Sequence, residues 1–217
     1  MELLIRYLGI PVVKVLMHTT EDSVWVHAKS TKLASIAANM DNIYTINYQN
    51  DFIPKKYRKK IDQKDYSENR ITYYDRENMI ARRISKIDSA KNTTYNITAD
   101  TRDFFSALSF LRFTKKSSGT ITLDANRLLW QANYKSIKKE NLKTSLGKID
   151  CNKYEIEFVK DTKKNRERSD MLTNNLVDED KKLYLWITDD SRGIPVKAQF
   201  KMSPFSVYWF ITQYENL

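Results

Sequence analysis

Residues Lys182 to Tyr214 carry the pattern that most narrows the fold, because three apolar-rich runs are joined there by turn chemistry. Leu183 to Thr188, Ile194 to Met202 and Ser206 to Tyr214 read as strands. Asp189-Asp190-Ser191-Arg192-Gly193 separates the first two with residues that bond their own backbone or accept positive φ, and Ser203-Pro204 separates the second pair. A three-stranded antiparallel meander follows. Leu183 to Ile187 is apolar or aromatic throughout, whereas a strand with one buried face alternates. A helix is therefore expected over its second face, with an apolar cavity as the other solution.

Period-2 alternation recurs upstream. Glu2 to Leu8, Val12 to His18 and Ser23 to Ser30 read as strands, with Thr19 to Asp22 as a hairpin loop and His27 pairing near Lys14. Asp41 to Asn50 alternates again. Ile71 to Asp75 and Met79 to Ile84 form a hairpin around Arg76-Glu77-Asn78, and Thr94 to Thr98 is a short extended piece. Thr120 to Leu123, Leu128 to Lys138 and Asp150 to Val159 form a further antiparallel series with Ser145-Leu146-Gly147 as a turn. Thr31 to Met40 reads as a short helix. The main helix is predicted over Asp100 to Phe113, where Phe104, Leu108 and Leu111 recur at helical spacing, Asp100 or Thr101 caps and Asp103 lies in the first turn. Lys55 to Arg70 is rich in basic residues, with Lys55 to Lys60 reading as a solvated loop, and Lys160 to Asp180 reads as a solvated excursion because it has little apolar content and mixes charges of both signs.

These elements predict one mainly β domain: a single strongly curved antiparallel sheet, half-barrel-like, packed on one main helix. The chain has 217 residues, and a chain of that size buries roughly 70% of the surface it exposes when unfolded. One cysteine, Cys151, excludes an internal disulfide and a cysteine zinc cluster, and reads as a buried strand thiol. The net charge of +10 implies attraction to an anionic partner. No run approaches the ~18 apolar residues of a membrane-crossing helix.

Three segments together resemble an exported bacterial family known as domain of unknown function 3108. They are Leu3-Leu4-Ile5-Arg6-Tyr7-Leu8-Gly9-Ile10-Pro11, then Asp103-Phe104-Phe105-Ser106-Ala107-Leu108-Ser109-Phe110-Leu111-Arg112, and Leu185-Trp186-Ile187-Thr188-Asp189-Asp190 followed by Arg192-Gly193-Ile194-Pro195-Val196. The chain departs from the family at Val12-Val13, where a second glycine is usual. The resemblance implies an export signal ahead of the first strand, and hence a mature form located in the periplasm or cell envelope. More loosely, it implies likeness to the curved sheets of lipoprotein-carrier folds.

No motif marks a catalytic centre. His18 and His27 are the only histidines, and the expected register sets them roughly 13 Å apart at ~3.4 Å per residue, too far to share a metal. Glu155 with Glu157 and Asp189 with Asp190 read as a solvated sheet face and a turn. An enzyme would need His27, Glu155 or Asp190 to converge in a polar cleft. The expected function is noncatalytic, without a cofactor: binding of a lipid, another amphiphile or a partner within the sheet through Phe104, Leu108, Leu111, Tyr184, Trp186 and Trp209. The alternative is an envelope scaffold that holds an acidic protein, or an anionic membrane surface, through Lys55, Lys56, Arg58, Lys59 and Lys60. No nucleic-acid motif is present, and nucleic acid is not an expected partner.

Overall fold

The computed structural model describes residues 1–114, 116–125, 127–162, 169–173, 176–201 and 205–215. Among the described residues, fourteen strands form one antiparallel sheet. In chain order they are β1 (Glu2–Tyr7), β2 (Ile10–Thr19), β3 (Ser23–Ser30), β4 (Asp41–Gln49), β5 (Ile53–Gln63), β6 (Tyr66–Asp75) and β7 (Ile80–Ser85). They continue as β8 (Thr93–Asn96), β9 (Ser118–Ala125), β10 (Leu128–Thr144), β11 (Gly147–Lys160), β12 (Lys182–Thr188), β13 (Pro195–Lys201) and β14 (Ser206–Gln213). The spatial order runs from β8 back to β1, then β14 back to β9, so the first and last strands are neighbours and β8 and β9 are the edges.

The sheet curls until those edges approach. The Tyr95 hydroxyl of β8 donates to Asp124 Oδ2 of β9 at 2.6 Å and that of Tyr74 donates to the same oxygen at 3.1 Å. Between the edges, Arg102 N–H bonds Thr122 O at 2.8 Å and Asp124 N–H bonds Arg102 O at 2.8 Å. The half-barrel expected from sequence is thus an open barrel with its seam spanned by side chains and one extended segment.

Helix α1 (Lys32–Ser35) is a single turn capped by Thr31. Helix α2 (Phe104–Phe113) lies inside the curl and starts later than predicted. Residues 100–103 are not helical, because Arg102 is drawn into the β9 ladder, and Asp103 is the N-cap and not a first-turn residue. Its Oδ1 accepts the Phe105 and Ser106 N–H groups at 2.9 and 3.2 Å. At the far end Gly193 (φ +52°) meets α2 directly, since an added Cβ would lie 2.2 Å from Arg112 O. Arg112 Nε donates to Gly193 O at 2.9 Å. Phe105, Leu108 and Leu111 of α2 are buried, each contributing ~1.5–3 kcal/mol before entropy is subtracted.

The final meander and the hairpins appear as expected, although Ser203-Pro204 lies outside the described residues. Three further expectations about the elements fail. Lys55 to Lys60 is part of the paired strand β5, not a loop, because inward positions of β5 hold Lys59 and Gln63 beside Tyr57 and Ile61, which masks the apolar alternation. The excursion after β11 is not wholly solvated, for Ser169, Asp170, Thr173, Leu176 and Val177 are buried. The β2–β3 register pairs His27 with Leu16 and not with Lys14.

Candidate functional site

Strand direction alternates around the barrel, so the β1–β2 turn, the segment 31–40, residues 171–173 and 176 of the β11–β12 connection, the end of β13 and the start of β14 gather at one end. There they surround an apolar cavity of about 370 Å³. Its walls are inward side chains of neighbouring strands, Ile5, Val13, Phe200 and Trp209. Ala34, Ala37, Ala38 and Met40 bound one side and Met171, Leu172 and Leu176 the other. The short alanines leave space that larger residues would fill. Ligand cavities commonly span ~300–1,000 Å³.

Below this mouth the barrel is packed. Two interior voids beside α2, of about 40 and 20 Å³, share Phe104, Leu108 and Trp209 as lining residues. Trp209 also lines the mouth, so its ring stands at the junction of all three spaces. Two clefts of about 490 and 580 Å³ border Arg112 at the opposite end, and Glu21, Asp189 and Asp190 give them mixed polarity.

One wall of the mouth is tied down by a buried polar cluster. Asp170 Oδ2 receives Lys59 Nζ at 2.9 Å and the Thr173 hydroxyl at 2.7 Å, while Oδ1 receives the Tyr44 hydroxyl and the Thr173 N–H, both at 2.7 Å. Burial raises the Asp170 carboxyl, but the Lys59 ammonium and the Thr173 donors outweigh it and hold the group below the usual carboxylate range. Burial also lowers the Lys59 ammonium, with Asp170 opposing that shift. Burial and the neighbouring Asp170 push the Tyr44 phenol up, so it remains a donor. Tyr44 in turn packs on Phe105 with ring centroids 5.0 Å apart, connecting the cluster to α2.

The structure divides the residues expected to bind ligand. Phe104, Leu108, Leu111 and Trp209 come together inside the barrel, and only Trp209 reaches the mouth. Tyr184 and Trp186 lie on the other face of β12, since Leu183 and Leu185 take its inward positions. Lys153 sits 4.6 Å from the Tyr184 ring centroid and 4.8 Å from that of Trp186, Lys197 lies 4.4 Å from Trp186, and the indole N–H donates to Glu140 at 2.8 Å. The second apolar face of β12 is thus roofed by cation stems, not by a helix or a cavity.

The basic set is divided too. Lys55, Arg58 and Lys60 are exposed on β5, Lys56 stands 5.8 Å from the Tyr73 ring, and Lys59 points inward to Asp170. Lys59 is therefore no part of an anionic-surface contact.

His27, Glu155 and Asp190 do not converge. His27 pairs with Asp41 at 2.7 Å, Glu155 with Lys135 at 2.9 Å, and Asp190 with Arg192 in the β12–β13 turn. Cys151 is buried in β11, and burial, followed by the nearby Asp150 and Asp190, pushes its thiol up to about 11. Sequence reasoning missed Asp170, Leu172 and Leu176. Their signal was faint but present: the apolar pairs Met171-Leu172 and Leu176-Val177 interrupt an otherwise charged stretch.

The sequence model of a family described as "Protein of unknown function (DUF3108)" matches residues 3–204. No curated protein matches. Among solved structures, the chain is similar to a beta-barrel-like protein of domain of unknown function DUF1849 from Brucella abortus. The identity is 10% and the TM-score 0.61, over 96% of this chain and 92% of that one. That likeness concerns the fold alone.

Proposed function

This chain belongs to the DUF3108 family, and from that premise we propose that it is a noncatalytic binding protein that takes the apolar part of an amphiphile into the mouth cavity beside Trp209. The observation that carries the reading is the cavity of about 370 Å³, bounded by aliphatic and aromatic side chains. The interior beneath offers voids of only about 40 and 20 Å³, so bound chains would occupy the mouth and stop at α2. Burying apolar area there supplies ~25 cal/mol per Å². The family resemblance supports a location in the periplasm or cell envelope.

Native mass spectrometry of protein purified without detergent tests the reading, together with fluorescence titration by a long-chain fatty acid. The expected result is an adduct in the lipid mass range and an emission change that Trp209→Phe removes. A clean protein mass after incubation with envelope lipids, with unchanged emission, would overturn it. The scaffold alternative rests on the outward row Lys55, Arg58 and Lys60, and predicts acidic-protein binding that charge reversal of that row abolishes.

A further inference from the structure

The mouth cavity is encircled by large apolar side chains that face solvent. Ile36 is 84% exposed, Leu33 65%, Leu8 54%, Ile10 48%, Phe205 44% and Met171 42%. They come from four separate connections, yet these meet at one end of the barrel. Tyr7 and Phe205 touch edge-on with ring centroids 6.2 Å apart, joining the β1–β2 and β13–β14 turns, and the cavity itself joins 34–40 to 171–176. Such a ring of protruding apolar tips is not explained by packing within the chain.

Charge indicates what covers it. Residues 3–20, 23–40 and 191–214, which supply three of the four connections and their strands, contain no aspartate or glutamate, although they contain Arg6, Lys14, Lys29, Lys32, Arg192, Lys197 and Lys201. Arg6 flanks the β1–β2 turn, Lys32 lies beside Leu33 and Ile36 on α1, and Lys201 ends β13 at the same rim. In the fourth connection charges of both signs occur: Asp170 is turned inward to Lys59, Asp178 pairs with Lys181 and Glu179 with Lys160, while Asp161 and Asp180 are exposed. An apolar rim whose three acid-free connections carry Arg6, Lys32 and Lys201 complements an anionic bilayer, where tips enter the acyl boundary and cations meet headgroups.

We propose that this end of the barrel docks on an anionic lipid bilayer through Leu8, Ile10, Leu33, Ile36 and Phe205. This deepens the binding reading above, because the cavity opens inside the docked rim and an amphiphile passes between bilayer and Trp209 without crossing water. A protein partner would meet discontinuous tips around a hollow, whereas a fluid bilayer conforms to them.

The test is flotation of the full chain with vesicles of phosphatidylcholine plus phosphatidylglycerol, and of phosphatidylcholine alone. Wild type should float with the anionic vesicles, and less at high salt. Leu33→Ser with Ile36→Ser should weaken this by about tenfold or more, since both side chains are exposed and free to insert. Neither residue lines the cavity, so fatty-acid titration of the same variant, read at Trp209, should match wild type. Loss of fatty-acid binding by wild type with flotation retained would sink the cavity reading but leave the docking surface. Wild type that stays in solution, flotation unchanged in the double variant, or a wild-type dimer in sedimentation that the double variant abolishes would each overturn docking; the last would assign the rim to a second copy.

Discussion

Where β9 to β12 curve around α2, the inward positions are Ile121, Leu123, Ala132, Ile156, Phe158, Leu183 and Leu185. Where β5 to β7 continue the same barrel, the buried positions on the corresponding face mix Tyr57, Ile61, Tyr74 and Ala81 with Lys59, Gln63, Glu68, Arg70, Thr72 and Arg83. The first wall gains from excluding water and needs no particular partner. The second must provide a hydrogen-bond or ionic partner for each buried group. Glu68 receives Arg70 at 2.7 Å and Arg83 at 3.1 Å, while Lys59 reaches across to Asp170. The difference places the β11–β12 connection: it descends on the polar wall, where Asp170 is bonded, and contributes Leu172 and Leu176 to the apolar mouth.

The largest effect expected from breaking this contrast is at Lys59. Lys59→Met leaves Asp170 buried without its cation and should cost about 3–5 kcal/mol in urea unfolding. The double variant Lys59→Met with Asp170→Asn should recover part of the loss, because the amide is uncharged and its oxygen still accepts from the Tyr44 and Thr173 donors. A double variant as unstable as the single would refute the pairing argument. Asp170 titrates below its unfolded value of ~3.9, so its contribution is complete above that pH and declines as pH falls below ~4.

On the apolar wall, Leu185→Ala should cost about 2–5 kcal/mol with no dependence on pH. Recovery here would require another residue to fill the space, not charge removal.

Asp103 tests the border between the two chemistries. Burial raises its carboxyl to about 6 against the donors of Ser106 and Phe105. The native state therefore binds the extra proton between ~4 and ~6, so the Asp103 contribution to stability falls as pH rises through that window. Asp103→Asn keeps a good cap and removes the buried charge. It should flatten this window and stabilise the protein at neutral pH by on the order of 2–3 kcal/mol. A variant with the wild-type pH profile would reject the assignment.

The smallest effect is expected on the outer surface. Replacing Lys55, Arg58 and Lys60 singly by Gln should shift stability by no more than ~0.5 kcal/mol, in contrast to Lys59 on the same strand.

The sequence alone determined the elements whose inward residues are apolar. The closing meander, the hairpins and the core of α2 were legible because alternation and helical spacing register directly as hydrophobic pattern. It also placed Trp209, Phe104, Leu108 and Leu111 in a common interior. Tertiary structure decided the rest. Alternation defines two faces but does not say which is inward in a strand as uniformly apolar as β12, so Trp186 could be assigned to the outside only once the curl was known. Nor can a buried lysine be recognised without its partner, and Asp170 lies 111 residues beyond Lys59. A polar side chain is buried only when the fold brings it a complementary group, and that proximity is a property of the curled sheet, not of the local sequence.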